Sequence, residues 1–125
     1  MFLSIDSSAG TQVALVDGAG IVLAEAMSAE SRRHAEMIGV LLEQVFATAQ
    51  AAPSDLTSVV MGIGPGAFTG LRVGMAAASA FALSRGLALQ PVISHDAVGY
   101  FSDHDVVVIS DARRGGVAYS VYRAG

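Results

Sequence analysis

The chain contains no cysteine and no lysine. Without cysteine it has no disulfides and no thiolate metal sites, which agrees with a reducing compartment. Without lysine a Walker A phosphate loop is excluded, because that loop needs a Lys-Ser/Thr pair after its last glycine to hold phosphate and magnesium. Cationic side chains are scarce: seven arginines stand singly or in pairs against eleven carboxylates, a formal net charge of −4. No basic stripe of the kind that neutralises a nucleic-acid backbone results. Charged residues make up only 14% of the 125 positions and aromatics 6%, whereas apolar residues make up 53%. Even so, the longest apolar stretch, Val73 to Ser84, is bounded by Arg72 and Arg85 and falls short of the about 20 residues that span a bilayer. Asp6 interrupts the apolar start and no basic segment precedes it, so no signal peptide is read there. The expected location is cytoplasmic. A chain of this length is one domain by the usual prior and buries roughly two thirds of its unfolded surface, enough for a real core.

Glycine is plentiful, and its densest run is the most informative segment: Gly62-Ile63-Gly64-Pro65-Gly66-Ala67-Phe68-Thr69-Gly70-Leu71-Arg72-Val73-Gly74 joins an apolar strand to a long apolar helix. Gly64, Gly66 and Gly70 can take positive φ and expose N–H groups, Pro65 stiffens the turn and Thr69 is the expected helix cap. A helix start of this kind suits an anion. The same loop equally serves as a tight connection that packs the helix hard on a sheet.

Around it the hydrophobic pattern predicts strands over 2–6, 12–16 and 21–26, with Asp17-Gly18-Ala19-Gly20 as a hairpin turn. Met37, Ile38, Leu41, Leu42, Val45, Phe46 and Ala49 recur at helical spacing from His34 to Gln50, and Pro53 is expected to close that helix. A β-branched strand over 58–63, a helix over 69–85 stopped at Gly86, a strand near 87–93 and a short helix near 96–101 follow. Residues 106–110 and 117–122 read as a further hairpin around Asp111 to Gly116, with a Val106-Val107-Val108-Ile109 strand that something should cover.

The run GPGAFTGLRVG resembles the GPGSFTG(L/V)RIG loop and helix start of the bacterial TsaB (YeaZ) family. Three further segments match in order: Phe2-Leu3-Ser4-Ile5-Asp6-Ser7-Ser8, Arg33-His34-Ala35-Glu36 and Asp111-Ala112-Arg113-Arg114-Gly115. The resemblance spans nearly the whole chain. It implies an α/β fold of the RNase H-like, actin-like (ASKHA) type, with a mixed five-stranded sheet in βββαβαβα order over residues 1–104. Residues 105–125 would be the opening hairpin of a second domain that this sequence does not complete. It further implies a non-catalytic subunit of the machinery that forms N6-threonylcarbamoyladenosine at position 37 of tRNA. The implied partners are a TsaD-type catalytic subunit, a TsaE-type ATPase reached through the complex, a second copy of the chain in isolation, and tRNA only indirectly. No intrinsic cofactor is expected, with ATP and magnesium entering only in the assembled complex. One departure stands out: a Gly-Glu-Val-Tyr pattern is expected after Asp111-Ala112-Arg113-Arg114, and the chain reads Gly115-Gly116-Val117-Ala118.

Two candidate sites follow. The first is a phosphate loop of Asp6, Ser7, Ser8, Gly10 and Thr11 facing Gly64, Gly66 and Thr69. In actin-like ATPases such a turn and aspartate hold phosphate and metal, while an ordinary polar hairpin loop with Asp6 capping backbone accounts for the same residues. The second is a partner surface of two helices, drawn from Met37, Leu41, Leu42, Val45, Gly70, Leu71, Gly74, Met75, Ala77 and Ala78. The second helix is apolar all round and needs cover on both sides. The competing account buries it wholly within the domain. His34, His95 and His104 show no metal-ligand spacing and read as surface or helix-terminal side chains, and no serine shows a His and Asp in any nucleophile motif. Scaffold subunit is therefore the first reading. An actin-like nucleotide-binding ATPase or kinase using Asp6 is the alternative, and a peptidase homologue of that superfamily comes third.

Overall fold

The computed structural model describes residues 1–30 and 33–124, with the His34 side chain outside that description. Five strands, β1 (Phe2–Asp6), β2 (Thr11–Val16), β3 (Val22–Ser28), β4 (Ser58–Gly62) and β5 (Ala88–Val92), form one mixed sheet in the order β3-β2-β1-β4-β5. β1 pairs antiparallel with β2 and parallel with β4, and β5 extends the parallel side. The β2–β3 turn closes as its composition dictates: Asp17 Oδ1 accepts from the N–H groups of Ala19 and Ile21 at 2.8 and 2.9 Å.

Strand alternation sends Leu3, Ile5, Val13, Leu15, Ala24, Ala26 and Val59 to one face, where they are buried. Helices α1 (His34–Ala49) and α2 (Phe68–Arg85) cover that face, α1 over β2 and β3 and α2 over β4 and β1. Ile38, Leu41 and Val45 form the inward stripe of α1, and stacked Phe46 and Phe81, 6.4 Å between ring centres, join the helices. Full burial of each such large aliphatic contributes about 1.5–3 kcal/mol. α1 ends where its pattern indicated, but Pro53 is not what closes it. Gln50 takes a left-handed conformation (φ 51°) and its N–H reaches Ala47 O, so the helix is capped before Pro53, which instead opens a 3₁₀ turn over Pro53–Asp55. The expected stop of α2 at Gly86 is present in the same left-handed form.

The last helix, α3 (Asp96–Gly99), is a single turn, and β6 (Val106–Arg113) and β7 (Gly116–Tyr122) form a separate two-stranded antiparallel sheet. His95 is helix-terminal, one of the two placements its sequence context indicated, since it directly precedes α3, but it is not at the surface. It is 4% exposed, with Nδ1 2.9 Å from Ser120 Oγ and Nε2 2.9 Å from Ser110 Oγ. Tyr122 completes this clamp: its ring lies against Gly99 and its hydroxyl donates to Asp96 Oδ1 at 2.6 Å. Burial first, then that hydrogen bond, hold the Tyr122 phenol above its ordinary value. One face of the hairpin is thus covered by α3, while Val107, Ile109, Val117, Tyr119 and Val121 stay exposed on the other. Among the described residues no helix is long and apolar enough to cross a membrane.

Candidate functional site at the glycine loop

The loop between β4 and α2 threads past the loop after β1, and the two are tied by side chains that the sequence placed far apart. Asp6 accepts from the Ser8 N–H through Oδ1 at 2.7 Å and from the Ser94 hydroxyl through Oδ2 at 2.6 Å. Ser94 Oγ in turn accepts from the Gly64 N–H at 3.2 Å, and Gly64 O accepts from the Ser94 N–H at 2.8 Å. Gly64 has φ 87°, a left-handed conformation that a side chain rarely adopts. The Gly64–Pro65 bond is cis, and Gly66 lies against the backbone of Ser8.

Ser7 is 1% exposed and its hydroxyl is spent on α2. Oγ donates to Gly70 O at 2.7 Å and accepts from the Gly74 N–H at 3.1 Å. Those two groups are i and i+4 of the helix, so the serine bridges a rung of the helical ladder. This approach is the reason for glycine at 74: a Cβ there would lie 2.8 Å from Ser7 Cβ and closer still to its hydroxyl.

The candidate phosphate loop is therefore assembled in space, with Asp6, Ser7 and Ser8 facing Gly64 and Gly66, but its polar groups serve one another. Thr11 is fully buried at the start of β2, and a Cβ on Gly10 (φ 91°) would lie 2.7 Å from Ser28 O. Thr69 does not cap α2. The helix begins one residue earlier, at Phe68, with Ala67 in the capping position and no side-chain cap, and Thr69 is exposed in the first turn. Ser4, Asp6, Gln12, Glu25 and Met27 of the sheet and Gln44 of α1 border a cavity of about 390 Å³. Its two carboxylates oppose an anionic ligand.

The candidate partner surface needs correction at five positions. Leu41 and Val45 are core residues of α1, and Gly70, Gly74 and Ala78, continued by Ala82, form the buried stripe of α2. Small residues recur there at i+4 because the helix packs on β1 and Ser7 of the same chain, not against a partner helix. Met37 and Leu42 are half-buried and pack against the core, whereas Leu71, Met75 and Ala77 are half-exposed. Ser94 and the His95 clamp went unread in the sequence. A serine just past β5 was the one available signal, and it gains meaning only once β5 lies beside β4.

The model of the TsaD family, tRNA N6-adenosine threonylcarbamoyltransferase, matches residues 19–125. The chain belongs to this family. An uncharacterised protein of Mycobacterium leprae is 41% identical over 103 residues, covering 82% of this chain and 29% of that protein. An uncharacterised protein of Mycobacterium tuberculosis is 40% identical over 105 residues, covering 84% and 50%. The tRNA N6-adenosine threonylcarbamoyltransferase of Streptococcus suis is 44% identical over 62 residues, covering 50% and 18%. The chain thus spans half or less of the length of these curated relatives. Among solved structures, YeaZ from Pseudomonas aeruginosa superposes with a TM-score of 0.83 at 23% identity, over 99% of this chain and 60% of that one. That likeness shows the fold, and it is the actin-like, mixed-sheet α/β fold that the resemblance to the TsaB (YeaZ) family implied.

Proposed function

We propose that this chain acts in formation of threonylcarbamoyladenosine at position 37 of tRNA as a non-catalytic scaffold, bound to a TsaD-type catalytic subunit in the cytoplasm. The observation that supports this reading most is the fate of Asp6 and Ser7. An ATPase or kinase would keep that carboxylate and hydroxyl for nucleotide and metal. Here both carboxylate oxygens accept from Ser8 and Ser94, and the hydroxyl bridges Gly70 and Gly74. The residues that would do chemistry hold the scaffold together.

The docking face in this reading is the outer side of the helix pair. Met75 and Leu71 are half-exposed there, and Val40, Phe68 and Leu83 are strongly exposed, which is the pattern of an apolar patch awaiting a partner. ATP and a TsaE-type ATPase enter through the assembled complex, and a second copy takes the same face when the chain is alone.

The test is a pull-down with a TsaD-type subunit, comparing the parent with Leu83→Glu. Leu83 is 85% exposed, so the fold should persist by circular dichroism while capture falls at least tenfold. Undiminished capture would remove this face from the reading. ATP turnover by the isolated chain that disappears in Asp6→Asn would replace the scaffold by an ATPase.

A further inference from the structure

The two edges of the five-stranded sheet are finished differently. β5 carries Pro91, which has no N–H to offer a further strand. β3 contains no proline, and Glu25 is its one charged residue. In an antiparallel pairing only alternate residues of β3 turn their N–H and C=O groups toward β2. Those of the other residues point outward and take no backbone partner among the described residues. Such an edge is a template for one more strand.

The side chains along the edge define which strand fits. Leu23, Glu25 and Met27 alternate with the buried Ala24 and Ala26 and so share the other face. Leu23 is 40% and Met27 68% exposed. Glu25 between them is exposed, with no ion pair or hydrogen bond among the described residues. The face therefore presents apolar, acidic and apolar groups at a spacing of two. The cavity of about 390 Å³ beside Glu25 and Met27 has Asp6 as its other charged residue and no cation in its wall. A second copy of β3 is a poor match: paired antiparallel about its centre it would set Glu25 against Glu25, and like charges directly opposite repel.

We propose that β3 is a docking edge for an extended peptide segment of a partner protein, added as a sixth strand, with an arginine or lysine opposite Glu25 and apolar side chains opposite Leu23 and Met27. Main-chain hydrogen bonds to the open edge supply the attachment, and the alternate side chains supply the selection. The basic residue answers an acid that the chain itself leaves uncompensated. The edge shares no residue with the outer side of the helix pair, so it stands whether or not a TsaD-type subunit docks there.

The probe is the blocked heptapeptide acetyl-Thr-Val-Thr-Arg-Thr-Val-Thr-amide, which presents Val, Arg and Val on one face. Titrated into the intact, isotope-labelled chain, it should give saturable amide shifts centred on residues 22–28 and slow hydrogen exchange in β3. Replacing the peptide's Arg by Glu, or Glu25→Gln in the chain, should weaken binding about threefold or more. Glu25→Arg should reverse the preference between the two peptides. Glu25 is exposed, so these variants keep the fold, which unchanged resonances at Leu3 and Val59 verify. Of two versions of the peptide N-methylated on opposite alternate sets of residues, only one should lose binding, because only one set donates to β3; attraction between charges alone would not distinguish them. No saturable binding at millimolar peptide, equal binding by the two methylated versions, or an affinity indifferent to Glu25 overturns the proposal. So does pairing of two copies through β3, seen as concentration-dependent shifts there without peptide.

Discussion

Gly74→Ala and Gly39→Ala are the same substitution in the interior of two helices, and the structure gives them opposite signs. In a helix, alanine is favoured over glycine by about 1 kcal/mol. Gly39 is exposed on α1 with open space around its missing Cβ, so Gly39→Ala should stabilise by up to that amount. At Gly74 the new methyl would lie 2.8 Å from Ser7 Cβ and 3.2 Å from Ser7 N. Ser7 is buried on a loop held by Asp6 and Gly66 and has no flexible end to withdraw. Overpacking of this kind costs about 1–3 kcal/mol, and displacing the hydroxyl breaks its bonds to Gly70 and Gly74, about 0.5–1.5 kcal/mol each. Net of the propensity gain, Gly74→Ala should destabilise by roughly 1–5 kcal/mol, a large share of the about 5–15 kcal/mol that holds a domain folded. Urea unfolding followed by far-ultraviolet circular dichroism measures both variants, and an unchanged m-value certifies that stability alone moved. Adding Ser7→Gly to Gly74→Ala removes the obstructing atoms, so the pair should couple favourably in a double-mutant cycle. If Gly74→Ala is as stabilising as Gly39→Ala, the close approach of Ser7 to α2 is wrong.

Other expectations follow from single contacts. Ser94→Ala removes the bridge between Asp6 and Gly64 and leaves one carboxylate oxygen without its hydroxyl donor, a loss of about 1–3 kcal/mol, and hydrogen exchange at Gly64 should quicken; unchanged protection there would deny the bridge a role. Leu3→Ala opens the centre of the sheet, where Leu3 is fully buried, and should cost about 2–5 kcal/mol in thermal or urea unfolding. Tyr122 has a phenol raised above its ordinary value of 10.0, so the folded chain binds that proton more tightly than the unfolded chain. Its contribution is complete below pH about 10 and is lost as pH rises through the folded value. An alkaline unfolding profile should show this loss and Tyr122→Phe should abolish it, whereas identical profiles would detach Tyr122 from the clamp.

Much of the fold was legible because it rests on local periodicity. Leu3, Ile5, Val13 and Leu15 alternate with period two, Ile38, Leu41 and Val45 recur along a helix face, and Asp17 to Gly20 can only turn. The glycine loop likewise declared its place between strand and helix, and with it the family. The chain by itself left open which way the small-residue face of α2 points, because Gly70, Gly74, Ala77 and Ala78 admit a partner helix and a nearby strand equally well. Ser7 decides it by inserting its hydroxyl between Gly70 and Gly74 across 63 to 67 residues of sequence. The same holds for Ser94 on Asp6 and for His95 between Ser110 and Ser120. Each is a polar contact between segments remote in sequence. Periodicity fixes a residue's face within its own element, and only the pairing of elements determines which polar group that face will meet.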